Sequence, residues 1–270
     1  MPTADDSSES VVQFPIAPPP GLKPAALPVQ LASLLLIELT NWRWSWRAML
    51  ITASLAPLLG ILGLGVFARD SGAQALAYVL TGNLVVSLMF GSMGRIQSHV
   101  VFMRFQGALD YFATLPVQRP VLILAMVLAF QLLSLPSLLV TLLVGNLLLK
   151  VPLHPHPLAL LAIPLAGLPL AGLGAVVGAS ARTPEEANST NLVLTLLLTA
   201  LGPVVVPPEY IPAGLLLFSR LSPATYAASA LRQTLLGPVT GQLAIDLAAL
   251  VAFSAAAFWF AGKRIIYIGE

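Results

Sequence analysis

Apolar runs near 20 residues recur along the chain, broken by short polar or proline-rich stretches, and that is the length of helix needed to cross a hydrocarbon core about 30 Å thick. The pattern predicts six crossing helices. They are Ala48–Phe67, Ala73–Met93, Pro120–Leu149, Leu158–Ser180, a fifth that starts at Thr183-Pro184-Glu185-Glu186 and runs to about Val206, and Leu243–Gly262. The third is long enough to tilt, with Pro136 as a kink site. The fourth holds Gly167, Gly174 and Gly178, which suit close helix approach, while Pro164 and Pro169 bend it. In the fifth, Thr183 is expected to cap, with Pro184 at the first helical position and Glu186 closing a capping box.

The segments between the spans carry their own patterns. Residues 1–26 are acidic and then proline-rich, and read as a disordered cytosolic tail rather than a signal peptide. Residues 28–47 read as one amphipathic interfacial helix. Trp42 and Trp46 share a face and Arg43 and Arg47 the neighbouring one, a pairing that suits the headgroup layer. A helix continuous with the first span has the same anchors. In residues 94–119, Phe102, Phe105, Leu109 and Phe112 follow helical spacing and predict one apolar face. Arg104 and Tyr111 fall opposite, Gly107 lies between them, and Pro116 ends the helix. Such a helix is a handle for a partner or rests on lipid, and the pattern leaves both open.

Residues 207–240 contain Ile211–Phe218 and Ala224–Leu236, both too short to cross and suited to re-entrant or interfacial helices. Ser222 is placed to cap the second, with Pro223 at its first position and Tyr226 at headgroup level. The expected fold is an all-α integral membrane protein. It has a tail over 1–26, a six-helix transmembrane domain over 27–264 with its N-terminal interfacial helix, and a cytosolic tail over 265–270.

Composition agrees with the pattern. Hydrophobic residues make up 57% and charged residues 9%, against about 25% charged in a soluble domain. No stretch remains for a separate soluble catalytic domain. There are no cysteines, so disulfides and thiolate metal sites are excluded. With the N-terminus inside, nine lysines and arginines fall inside and four outside, which favours both termini in the cytosol. No strongly basic surface points to nucleic acid.

Candidate chemistry is sparse. Asp246 and Glu38 are isolated acids with no evident partner in the sequence. His154-Pro155-His156 lacks a nearby carboxylate and reads as a loop rather than a metal site. Gly178-Ala179-Ser180 lacks the second glycine of a nucleophile elbow. There is no G-x-x-x-x-G-K-[ST]. Nor are there the intramembrane acids of a proton- or sodium-driven carrier, or two matching halves with broken helices. Energy for uphill movement is therefore expected from another chain.

Two segments carry a resemblance. The stretch with Gly107, Leu109, Thr114-Leu115-Pro116-Val117 and Arg119 resembles the lead into the third span of the ABC-2 permease family. The stretch with Pro208, Ile211-Pro212, Leu221-Ser222-Pro223, Thr225-Tyr226-Ala227, Ala230-Leu231-Arg232 and Leu235-Leu236-Gly237 resembles the one before that family's last span. The resemblance covers roughly residues 28–264. It implies the transmembrane subunit of an ATP-driven exporter in a prokaryotic plasma membrane, working as a dimer with a second copy or a paralogous permease. ATP and Mg are then expected on a cytosolic ATPase partner, and no cofactor on this chain. It implies an ATPase-coupling element with Phe102, Arg104, Phe105, Gly107, Leu109, Asp110, Phe112 and Leu115. It also implies an outer gate with Tyr210, Pro212, Pro223, Tyr226 and Arg232. Phe105 and Gln106 stand where the family often has acidic residues. An ion-coupled carrier or channel, a membrane scaffold, and a membrane enzyme are the alternatives. An apolar, sparsely charged path suits a lipid, a lipid-linked glycan or a hydrophobic drug.

Overall fold

In hydrocarbon the backbone must satisfy its own hydrogen bonds, and every regular element among the described residues is helical. The computed structural model describes residues 26–42, 46–108, 112 and 117–266. The helices are α1 (Leu27–Trp42), α2 (Trp46–Ala68), α3 (Ala73–Leu88), a π turn (Met89–Met93), α4 (Gly94–Phe105), α5 (Arg119–Leu149), α6 (Ala159–Ser180), α7 (Pro184–Ala200), α8 (Ala213–Ser219), α9 (Pro223–Leu236) and α10 (Gln242–Ile266). A 3-10 turn spans Pro208–Tyr210. The chain is an all-α, multi-pass membrane protein. Among the described residues, five stretches are long and apolar enough to cross: Trp46–Ala68, Ala73–Phe105, Pro120–Leu149, Ala159–Ser180 and Gln242–Arg264. Here the end of the bundle that carries α1, α4 and the C-terminus of α10 is called proximal. The end that carries α8 and α9 is called distal.

Two expectations change. The second span does not stop at Met93. A π turn inserts an extra residue without breaking the hydrogen-bond ladder, and the helix continues to Phe105, 33 residues in all. The fifth segment ends at Ala200 rather than Val206, because Pro203 has no N–H and its ring collides with a helical carbonyl four residues back. Its 17 residues rise about 25 Å, short of a core about 30 Å thick. Within residues 28–47, α1 is described to Trp42 and α2 from Trp46. Arg43 lies outside the described residues. The Arg47 guanidinium stands 5.5 Å from the centre of the exposed Trp46 ring.

The amphipathicity of α1 is also partly reversed. Gln30, Leu34 and Glu38, at four-residue steps, face the bundle, while Leu36 and Ile37 are exposed. Gln30 accepts a hydrogen bond from the Gln118 amide at the start of α5 (3.2 Å). Half of the expected capping box at α7 forms, and the Glu186 carboxylate engages the amide one residue before the Thr183 cap instead of the cap's own. Glu186 N–H donates to Thr183 Oγ1 (3.1 Å), and the Glu186 carboxylate reaches back to the Arg182 amide (2.9 Å).

Two apolar cores stack along the bundle. The distal one joins Ile61, Leu80, Leu84, Leu138, Leu170 and Leu231. The proximal one joins Leu34, Ile96, Met103, Met126, Phe130 and Ala175. Two glycines of α6 bring it against the π turn and α4. A Cβ on Gly174 would collide with the Met93 carbonyl oxygen in the π turn, and one on Gly178 would sit 2.7 Å from the Gln97 carbonyl oxygen. Gly172, on the other side, meets Ala257 of α10.

Gly174→Val is expected to lower stability by about 1–3 kcal/mol through overpacking, read as a fall in melting temperature in detergent. Gly63 has open space around it, so Gly63→Ala should hold or raise that temperature. Equal losses in both variants would refute the α6 contact.

Candidate functional site

At the proximal end, the polar residues of α4 bind the helices around it. Arg95 Nη2 donates to the Met49 carbonyl (2.7 Å) and to Thr52 Oγ1 (3.0 Å), tying α4 to α2. His99 Nε2 lies 3.1 Å from Glu38 Oε1, both side chains largely buried, which ties α4 to α1. The His99 ring also stands 5.3 Å from Phe130 of α5. Gln97 Nε2 donates to Asn188 Oδ1 of α7 (3.4 Å). Around these residues opens a cavity with Thr52, Arg95, Gln97, Phe102, Asn188 and Asn191 in its walls. Asn191 Oδ1 is buried with no hydrogen-bond partner among the described residues. Glu38 therefore has a partner, although no sequence pattern paired it. The one available signal was the four-residue step between Arg95 and His99, which aligns both on one helix face.

The helix then ends by a specific device. Gly107 adopts φ +70°, and the Gln106 and Gly107 amides bond the Phe102 and Arg104 carbonyls (3.0 and 3.2 Å). A left-handed residue there needs glycine. Phe102 and Phe105 project from the last turn, both more than half exposed. Phe112, beyond the turn, packs against the proximal core instead. Phe102, Phe105 and Phe112 thus do not share the single helical face that their spacing predicted, because the helix stops before the third. Leu109, Asp110 and Leu115 lie outside the described residues. Arg104 is half-buried and turned inward. Its Nη1 donates to the Ala181 carbonyl (2.5 Å) and the Ala179 carbonyl (3.4 Å) at the C-terminus of α6, where a cation also complements the helix dipole.

At the distal end, Ser222 and Pro223 occupy the N-cap and first position of α9, but the Ser222 hydroxyl makes no capping bond. The expected side-chain cap is absent; the Thr225 amide bonds the Ser222 backbone carbonyl (3.2 Å) instead. Tyr226 Oη donates to the Arg220 carbonyl (3.0 Å), and its ring stands 5.9 Å from Phe253. The Arg232 guanidinium lies 3.4 Å from the centre of the Tyr78 ring, and its Nη2 reaches the Val204 carbonyl (3.4 Å). Pro223, Tyr226 and Arg232 are thus on one helix. Tyr210 is exposed in the 3-10 turn, and Pro212 opens the separate helix α8.

Asp246 is also partnered, by groups the sequence did not link to it. Ser229 Oγ (2.6 Å) and Gln233 Nε2 (3.0 Å) donate to Oδ2, and Gln242 Nε2 (3.0 Å) to Oδ1. The His154-Pro155-His156 loop works through its backbone. The His154 and His156 amides donate to the Leu235 and Thr234 carbonyls (2.8 Å each) at the end of α9.

The family described as ABC-2 type transporter matches residues 29–236, from α1 to the end of α9. No curated protein matches the chain.

Replacing Arg104 with alanine should release the end of α6. A charged hydrogen bond is worth about 1.5–3 kcal/mol, so amide exchange over residues 177–181 should rise at least tenfold, with partial rescue by lysine. Unchanged exchange there would remove Arg104 from this role.

Proposed function

Because the chain belongs to the ABC-2 type transporter family, and so is the transmembrane subunit of an ABC transporter, we propose that it serves an exporter energised by a separate cytosolic ATPase. The observation that carries this reading is the proximal end of the 33-residue helix. That helix projects Phe102 and Phe105 while Arg104 and Arg95 brace it against α6 and α2. Large exposed aromatics on a braced element suit a protein partner's pocket. Supporting it, the chain has no phosphate-cradling G-x-x-x-x-G-K-[ST] of its own, so ATP and Mg belong on the partner.

In this reading the proximal end faces the cytosol and the membrane is a prokaryotic plasma membrane. The chain crosses six times, with α7 and the turn after it as the fifth crossing. Two such subunits, identical or paralogous, enclose the path. The exposed apolar side of α7, with Leu192, Val193, Leu196 and Leu197, is free to meet the second subunit. The polar cavity beside Arg95, Asn188 and Asn191, of about 680 Å³, opens on the same side as the ATPase and suits the polar end of an amphiphilic substrate. ATP-driven closure of two ATPases would move the two α4 helices together. Pro223, Tyr226 and Arg232 then belong to the outer gate, and Tyr210 and Pro212 to its approach.

The test is co-purification with the ATPase and ATP-dependent transport in vesicles. An interface aromatic is worth about 2 kcal/mol or more. Phe105→Asp should therefore weaken ATPase capture roughly thirtyfold and abolish transport while the melting temperature holds. Transport at the normal rate in that variant, or transport that survives ATP depletion, would overturn the proposal.

A further inference from the structure

Along α9, Ser222, Thr225, Ser229 and Arg232 recur at steps of three, four and three residues, which aligns three hydroxyls and a guanidinium on one face. Thr225, Ser229 and Arg232 line a cavity of about 470 Å³, closed on the other sides by Tyr78 of α3 and Gln242 and Asp246 of α10. Three polar atoms on this face are buried without a hydrogen-bond partner among the described residues: Ser222 Oγ, Thr225 Oγ1 and Arg232 Nε. A guanidinium left part-bonded at membrane depth is costly, and such residues mark ligand sites in membrane proteins.

Arg232 and Asp246 line the same cavity, yet the ion pair found among the described residues is His99–Glu38, elsewhere. The Asp246 carboxylate is instead engaged by Ser229, Gln233 and Gln242. Three donors engage that carboxylate, whereas one face of Arg232 is covered by the Tyr78 ring, its Nη2 reaches the Val204 carbonyl, and its Nε is buried with no partner among the described residues. A guanidinium edge beside hydroxyls is the donor set that holds a phosphate oxygen. Next to the cavity, Leu217, Phe218, Leu221 and Ile245 are exposed. The site therefore joins a phosphate-type donor set to an apolar track.

We propose that this cavity binds the phosphate of a phospholipid headgroup, held by Arg232 and the hydroxyls of α9, with acyl chains along Leu217, Phe218, Leu221 and Ile245. It lies within one subunit and shares Tyr226 and Arg232 with the proposed outer gate. The inference rests on the membrane placement of the distal end and not on the ATP-driven reading, so loss of ATPase capture would leave it standing.

The experiment titrates the purified full chain in detergent with phosphatidylglycerol, phosphatidylethanolamine, a phosphate-free galactosyl diacylglycerol, and inorganic phosphate. Bound molecules are counted by native mass spectrometry and checked by the shift in melting temperature. Both phospholipids should bind at least tenfold more tightly than the galactolipid or free phosphate. Arg232→Gln should cut phospholipid binding at least tenfold, and Thr225→Val about threefold. Thr225→Val exchanges only a hydroxyl for a methyl, so it carries the test should Arg232→Gln fail to fold. Arg69→Gln, which removes an exposed cation at the same end, should leave binding unchanged. Equal galactolipid binding would overturn the phosphate assignment, leaving a hydrated or polyol site. Free phosphate binding as tightly as lipid would overturn the lipid. An equal loss in Arg69→Gln would reduce the effect to general surface attraction.

Discussion

The contact on which most of the bundle depends is the approach of α6 to the long helix formed by α3, the π turn and α4. Lipid offers no water-driven force between helices, so helices in a membrane hold together by close packing and hydrogen bonds. Gly174 and Gly178 let α6 reach the backbone at Met93 and Gln97. That approach falls at the π turn and the first turns of α4, and so fixes where α4 lies against α6. Gly172 carries α10 on the other side of α6. One glycine-rich helix thus positions both the segment proposed to meet the ATPase and the last span.

Polar residues then fasten the ends that packing leaves open. Arg95, His99 with Glu38, Gln97 with Asn188, and Arg104 each tie α4 to a different helix: α2, α1, α7 and α6. These ties make the proximal end a braced unit, which is what transmission of a push from a partner requires. Within the spans, hydroxyls mostly return to their own helix four residues back, as with Thr81 to Ala77 and Thr141 to Ser137. At the distal end the Asp246 network and the Thr240–Gln233 bonds fix the turn between α9 and α10. Arg232 and its neighbouring hydroxyls are left with open valences there.

Much of the candidate site was legible only as a pair of regions. Phe102 and Phe105 stand out by spacing, and Tyr226 and Arg232 through the family resemblance, whereas the helix end expected at Pro116 falls at Gly107. What spacing misassigned was Phe112, because a periodic face runs on past the helix end at Gly107, which only backbone geometry reveals. Arg104 looked like a free cation opposite an apolar face. Its occupation by α6 carbonyls depends on a contact 75 and 77 residues away. Ser222 looked like a helix cap, and its hydroxyl is open.

By itself, the sequence determined that this chain lives in a membrane as an all-helical bundle, where its helices begin and turn, and that its fourth span packs through glycines. These follow from local rules: apolar length, proline and glycine backbone limits, and capping residues. Only the tertiary structure decided how far the helix of the second span runs past Met93, that the fifth helix ends at Ala200, and which partners Glu38, Arg104, Arg232 and Asp246 take. Those outcomes depend on which distant side chains share a low-dielectric neighbourhood. Partners for buried polar groups are set by three-dimensional proximity, and no local periodicity encodes it.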